Sequence, residues 1–353
     1  MSKMLEEIRE QPAALERTLG GAARPVAELR RRLEARRPKL VVLAARGTSD
    51  NAALFGRYLL EITTGIPVSL AAPSVFTLYR AEPDLREALV VAISQSGEST
   101  DTNFVLQRAR ELGALTVGIT NNPRSTLARL PEHLFLVRAG KERSVAATKT
   151  YTGQLLLLYL LAYALGAPIR PEGLRRLAAW AEAALRLEPE IRERAERYRF
   201  MRQTVVVGRA LNYSNAFEFA LKLMETCYVV AERFSSADFL HGPIAMVGPS
   251  FPVFLFTPSG VTWPPMRQMI EKLAALEAET LVITDRSNPE ASRLSRRAVV
   301  VPARLAQSSP LPEDLYTPIP YIIPAQLLAA WLAAEKGLDP DRPRTLTKVT
   351  QTL

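Results

Sequence analysis

The 353-residue chain is poor in the side chains that build metal and redox sites, with one cysteine and two histidines. A lone Cys227 excludes an internal disulfide and any multi-cysteine metal cluster. It lies in an apolar helical stretch and reads as a small core residue. His133 and His241 are too few for a poly-histidine site, so no metal is expected. Long apolar runs are missing as well. LLLLYLLAYALGAP (155–168) is too short and interrupted to cross a bilayer, which takes ~20 apolar residues, and reads as a buried helix. The opening MSKMLEEIREQP is charged from its third residue and has no signal-peptide core. A cytoplasmic protein with no membrane partner is expected.

What is present suits an ordinary globular protein: 48% hydrophobic residues for a core and 23% charged residues. The net charge of +9 favours an anionic partner. Basic residues are densest in ELRRRLEARRPK (28–39), which reads as a solvated helix face. Without interleaved aromatics, a zinc finger or a basic recognition helix, no nucleic-acid partner is expected.

Residues 1–35 read as one or two amphipathic helices, broken near QP and GG. Beyond them, short Val- and Ile-rich runs alternate with helical patterns. PKLVVLAA, IPVSLAAP, EALVVAIS, ALTVGITN and HLFLVRA are expected strands of one parallel sheet, with helices at SDNAALFGRYLLEIT and TDTNFVLQRARELG. A long helix starts near Thr150. After a helical connector (EPEIRERAERYRF, 188–200), TVVVGRA, FPVFLFTP, TLVITD and AVVVPA repeat the plan. NAFEFALKLMETCYVV, MRQMIEKLAALEA and PAQLLAAWLAAEKG are its helices. VVLAARGTSDNAALFGRYLLE (41–61) can be laid over VVVGRALNYSNAFEFALKLME (205–225), which suggests an internal duplication. The fold class is α/β, with two doubly wound parallel sheets.

Two strand-to-helix turns are dense in small donors. SQSGES (94–99) offers Ser94, Gln95, Ser96 and Ser99 around Gly97, and RGTSDN offers Gly47, Thr48 and Ser49. Helix N-termini at the carboxyl ends of parallel strands suit phosphate. For either turn alone plain N-capping is the default reading, and two such clusters at successive crossovers favour phosphate. Neither matches GxGxxG or GxxxxGK[ST], and SQSG lacks the first glycine of a GxSxG nucleophile turn.

AARGTSDNA, AISQSGESTDT, AGKERSVAATKTYT, ALKLMETCY, FLHGPIAM and DRPRTLTKVT occur in that order. Together they resemble the double sugar-isomerase (SIS) region of the glucosamine-6-phosphate synthase family. The resemblance begins at about residue 36. It implies tandem SIS domains, flavodoxin-like in topology, at 36–168 and 201–338. Around them lie a helical segment 1–35, a helical connector 169–200 and a tail 339–353 that completes the active site. The family's synthases also carry an N-terminal glutaminase domain with a cysteine nucleophile. Only about 35 residues precede the first SIS unit here, none of them cysteine, so glutamine-driven amination by this chain alone is not expected.

The same resemblance implies the site residues. Ser49, Ser94, Gln95, Ser96 and Ser99 match phosphate-binding positions. Glu142, Val145 and Ala146 match the segment at the sugar's carbonyl end, with Thr148 and Lys149 following. Glu225 matches the glutamate that moves a proton between C1 and C2, with Lys222 beside it. His241 matches the histidine that helps open the ring, supplied across a homodimer interface. Lys348 matches the lysine that engages the open-chain carbonyl as an imine. Arg46 and Met224 depart from the family's cysteine and lysine. The expected activity is conversion of glucosamine-6-phosphate to fructose-6-phosphate and ammonia, with a phosphorylated amino sugar or ketose as ligand and no cofactor. Alternatives are a fructosamine-6-phosphate deglycase, the sugar-isomerising half of a synthase, and a non-catalytic sugar-phosphate sensor.

Overall fold

The computed structural model describes residues 2–303, 311–346 and 348. These form two compact α/β units. The first comprises residues 10–143 and 147–176 with the end of the chain, the second residues 2–9, 144–146 and 177–344. The opening helix α1 (Lys3–Arg9) belongs to the second unit. Of the tail expected to complete the site, residues 347 and 349–353 lie outside the described residues.

The first unit runs α2 (Gln11–Ala35), β1 (Leu40–Ala44), α3 (Thr48–Thr64), β2 (Val68–Leu70), α4 (Pro73–Thr77), β3 (Ala88–Ser94), α5 (Thr100–Glu111), β4 (Leu115–Thr120), β5 (His133–Leu136) and α6 (Lys149–Ala164). All its strand pairs are parallel, in the order β2-β1-β3-β4-β5. Both faces of the central strands are covered, so LVVLA and ALVVAIS read as nearly continuous apolar runs. Val42, Val90 and Ala92 pack with Phe76, Val105, Leu106 and Leu127. Leu43 points the other way, where Gly56 of α3 makes room. A Cβ there would come within 3.0 Å of both Leu43 and Leu158 of α6.

The second unit continues with α7 (Arg176–Leu185), α8 (Glu188–Arg197), β6 (Gln203–Gly208), α9 (Tyr213–Cys227), β7 (Val230–Ser235), α10 (Ser236–Leu240), β8 (Pro252–Phe256), α11 (Trp263–Ala275), β9 (Glu279–Asp285), α12 (Pro289–Leu294), β10 (Arg297–Val301) and α13 (Pro318–Glu335). Its sheet, β7-β6-β8-β9-β10, repeats the order of the first. Val205, Val207, Val253 and Leu255 pack against Met266, Met269, Ile270 and Leu273 of α11.

Two expectations are corrected. The helix α2 runs unbroken through Gly20 and Gly21. The glycines do not end it: Gly21 lets the Arg138 side chain cross the helix, where a Cβ would lie 2.1 Å from Nε. The helix expected to run to Val230 ends sooner, and VAERFS (Val230–Ser235), to which the sequence assigns no element beyond that helix end, is the strand β7. That helix stops at Tyr228, whose φ of 53° places it in the left-handed region.

Candidate functional site

In each sheet the chain leaves the first strand towards one edge and returns to the other side of it. The adjacent strands β1 and β3 therefore open a crevice at their carboxyl ends, the place where such folds bind ligands. RGTSDN leaves β1 here to start α3, and SQSGES leaves β3 to start α5.

The second turn is shaped by its own hydroxyls. Ser94 Oγ accepts from the Gly97 N–H at 3.1 Å, and Ser96 Oγ from the Glu98 N–H at 3.2 Å. Used as acceptors, both hydroxyls keep their protons to donate to a ligand. Among the described residues, the N–H groups of Ser96, Ser99 and Thr100 donate to no protein acceptor. Gly97, with φ of 71°, is required twice over, because a Cβ would also fall 2.1 Å from Ser125 Oγ. At the first turn Ser49 Oγ accepts from Gln154 Nε2 at 2.9 Å, which likewise leaves its proton to donate. Ser99 differs. Its hydroxyl donates to Asp101 Oδ1 at 3.0 Å and lies equally close to Thr102 Oγ1. Side-chain capping of the N-terminus is absent in both α3 and α5.

At the corresponding end of the second unit's sheet, the turn after β8 is engaged by acids. Asp285 accepts from Ser259 N–H (3.1 Å), Ser287 N–H (2.7 Å) and the Tyr321 hydroxyl (2.5 Å). Asp314 Oδ2 accepts from Thr262 Oγ1 at 3.0 Å. Burial and the Asp285 carboxylate push the Tyr321 phenol well above its ordinary pKa, so it stays a donor. Two buried carboxylates repel a phosphate, so these turns of the second unit do not suit an anion.

In the second unit, α9 carries a buried ion cluster. Lys222 is fully buried, with Nζ 2.6 Å from Glu225 Oε2 and 3.4 Å from Glu218 Oε1. Positions 218, 222 and 225 share one helix face. The sequence reading noticed the Lys-x-x-Glu pair and missed Glu218, although an acid one turn upstream in so apolar a helix was the available signal. Glu225 alone of the three reaches solvent, with 21% of its side chain exposed. A carboxylate at the edge of a buried ion cluster is oriented by the lysine and still accessible to a substrate proton.

His241 caps the C-terminus of α10 and is exposed, with Gly242 (φ 133°) and Pro243 turning the chain beyond it. Glu142, in the first unit, is buried on the N-terminus of α6. It accepts from the N–H groups of Thr148 (2.9 Å) and Thr150 (3.2 Å) and from the Thr150 hydroxyl. Lys348 Nζ lies 3.5 Å from Oε2, the oxygen that accepts the Thr150 hydroxyl. Lys149 is buried, bound to Glu10 Oε2 at 2.6 Å and to the Lys141 carbonyl. Val145 and Ala146 belong to the second unit, in a segment fastened by the Ser144 N–H to Glu7 Oε2 at 3.1 Å.

No helix among the described residues is long and apolar enough to cross a membrane. A family model described as SIS domain matches residues 35–164 and 200–336. The glutamine–fructose-6-phosphate aminotransferase (isomerizing) of Gloeobacter violaceus is 36% identical over 361 residues, covering 98% of this chain. The chain spans 58% of that relative's length. Among solved structures, the C-terminal domain of glucosamine-fructose-6-phosphate aminotransferase from Francisella tularensis matches with a TM-score of 0.86 and 28% identity, over 97% of this chain and 98% of that one. A putative phosphosugar isomerase from Silicibacter pomeroyi matches with a TM-score of 0.82 and 32% identity, over 97% of this chain and all of that one.

Proposed function

This chain belongs to the SIS domain family, and on that premise we propose that it is a phosphosugar enzyme converting glucosamine-6-phosphate to fructose-6-phosphate and ammonia. The observation that carries the reading is the first unit's crevice. Hydroxyls of Ser49, Ser94 and Ser96, and helix-start N–H groups, remain to donate there, which suits a sugar 6-phosphate. The names of the similar proteins, a fructose-6-phosphate aminotransferase and a phosphosugar isomerase, support the same ligand class.

The roles of the remaining groups follow from the family resemblance. His241 assists ring opening as acid and base, leaving an aldehyde at C1 and an amine at C2. Glu225 takes the proton from C2 and returns it to C1. The electron pair passes through an enolamine: the C1 oxygen takes up a proton and becomes a hydroxyl, the C2 amine gives one up, and a C2 ketimine remains. Water adds to that carbon, the amine departs as ammonia, and a C2 carbonyl remains. In the ketose, the Lys348 amine condenses with the C2 carbonyl to an imine and releases water, and hydrolysis of that imine returns the ketose.

The test is ammonia release from glucosamine-6-phosphate by the purified protein, with fructose-6-phosphate followed in parallel. Equal amounts of both are expected. Tight phosphosugar binding with neither product would contradict the deaminase reading.

A further inference from the structure

Arg46 occupies the turn between β1 and α3, and the phosphosugar reading above leaves it without a role. Its Nε donates to Asp101 Oδ2 at 2.6 Å, across from one anion turn to the other. Asp101 lies in the first turn of α5, only 2% exposed, and also accepts from the Ser99 hydroxyl and the Thr102 N–H. A buried carboxylate at the mouth of an anion cradle repels the ligand that the helix start attracts, and a cation beside it offsets that cost.

The grip is one-sided. A guanidinium presents five N–H donors in a rigid fork, and only Nε is committed here. Among the described residues neither Nη donates to a protein acceptor, and the side chain is 53% exposed. Asp50, in the first turn of α3, shares the same field without a direct contact. Arg46 is thus a cation held in orientation at one edge, with its bidentate face left over, between two helix N-termini that both suit phosphate.

We propose that Arg46 is a specificity-determining ligand of the anion: its Nη groups bind the sugar phosphate, and its Nε cancels Asp101 so that a dianion is admitted. This rests on the phosphate reading of the crevice and adds a charged ligand to its hydroxyls. It also assigns a reason to the departure from the family's cysteine at this position. A neutral side chain there leaves phosphate to the hydroxyls and helix-start N–H groups and supplies no bidentate fork.

The experiment is equilibrium binding of fructose-6-phosphate, with inorganic phosphate as competitor, to the full chain and to Arg46→Gln and Arg46→Lys. Loss of a charge-assisted contact predicts about ten- to a hundredfold weaker binding of both probes by Arg46→Gln. Arg46→Lys keeps the charge and loses the fork, so an intermediate loss is expected at an unchanged melting temperature. That variant decides the matter if the glutamine protein is unstable. Wild-type affinity in both variants overturns the role of Arg46 while leaving the phosphate site standing. Failure of the wild-type protein to bind either probe overturns the phosphate reading, and this inference with it.

Discussion

Lys348 Nζ lies 3.5 Å from Glu142 Oε2, a carboxylate already held by three donors at the start of α6. The helix N-terminus orients the acid, and the acid orients a lysine that is more than 200 residues away in sequence. A tail side chain with three flexible carbons beyond Cβ is thereby given a fixed address.

If Lys348 forms an imine with an open-chain ketose phosphate, borohydride should trap it. Mass spectrometry of the fructose-6-phosphate complex is expected to find the reduced adduct on this residue. Glu142→Ala should lower the trapped yield about tenfold, the cost of losing one charged contact. Affinity for fructose-6-phosphate should stay within a factor of two or so, because the phosphate donors are elsewhere.

Glu225→Gln keeps the shape of the side chain and removes the base. A fall in turnover of about a hundred- to ten-thousandfold is expected, with phosphosugar binding retained. Lys222→Met removes the cation between two carboxylates at 2.6 and 3.4 Å. Breaking a buried ion cluster in this way typically costs ~3–5 kcal/mol, to be read from denaturant unfolding.

Gly97→Ala places a side chain where φ is 71° and where Ser125 Oγ would be 2.1 Å away. Destabilisation of about 1–3 kcal/mol is expected. The larger effect should be on ligand, with fructose-6-phosphate binding weakened at least about tenfold, since the turn that presents Ser94 and Ser96 must move.

Glu279, at the start of β9, accepts from Arg197 Nε (2.7 Å) and Nη2 (3.0 Å) and from Arg297 Nε (3.0 Å). The bonds from Arg197 lead in holding its carboxyl below the usual range, and burial opposes them. Its stabilising contribution is therefore present above the unfolded carboxylate's pKa and is lost as the pH falls through the lower folded value. Glu279→Gln should reduce stability at pH 7 by about 1–3 kcal/mol. The gap between variant and wild type should close on acidification towards pH 3. A gap that persists unchanged in acid would show that the ion pairs are not its source.

Much of this architecture is legible in the sequence, and the gaps have physical reasons. The three central strands of the first sheet, β1, β3 and β4, are Val- or Ile-rich runs because both faces are covered. The strand β7 is not, because it lies at a sheet edge: Val230 is 63% exposed and the strand carries Glu232 and Arg233. Nothing punctuates its boundary with α9, since the left-handed stop is taken by a tyrosine instead of glycine. The Gly20–Gly21 pair misleads for the opposite reason, being there to admit a side chain from elsewhere in the unit. Cys227 behaves as its apolar context suggests. Buried, it donates to the Ala329 carbonyl at 3.2 Å, and desolvation pushes its thiol up to about 11. Harder to foresee are the partners that long-range contacts supply: Asp101 for Arg46, Glu142 for Lys348, and the carboxylates that engage the turn after β8.

The central claim is that this chain moves a proton between C1 and C2 of a sugar 6-phosphate through Glu225. Incubation with fructose-6-phosphate and an ammonium salt in deuterated water, followed by proton magnetic resonance, tests it without presuming the physiological direction. Deuterium is expected at the sugar's C1 or C2 position with the wild-type protein and not with Glu225→Gln. Bound sugar phosphate with no deuterium at either carbon, or equal exchange in the variant, would contradict the account.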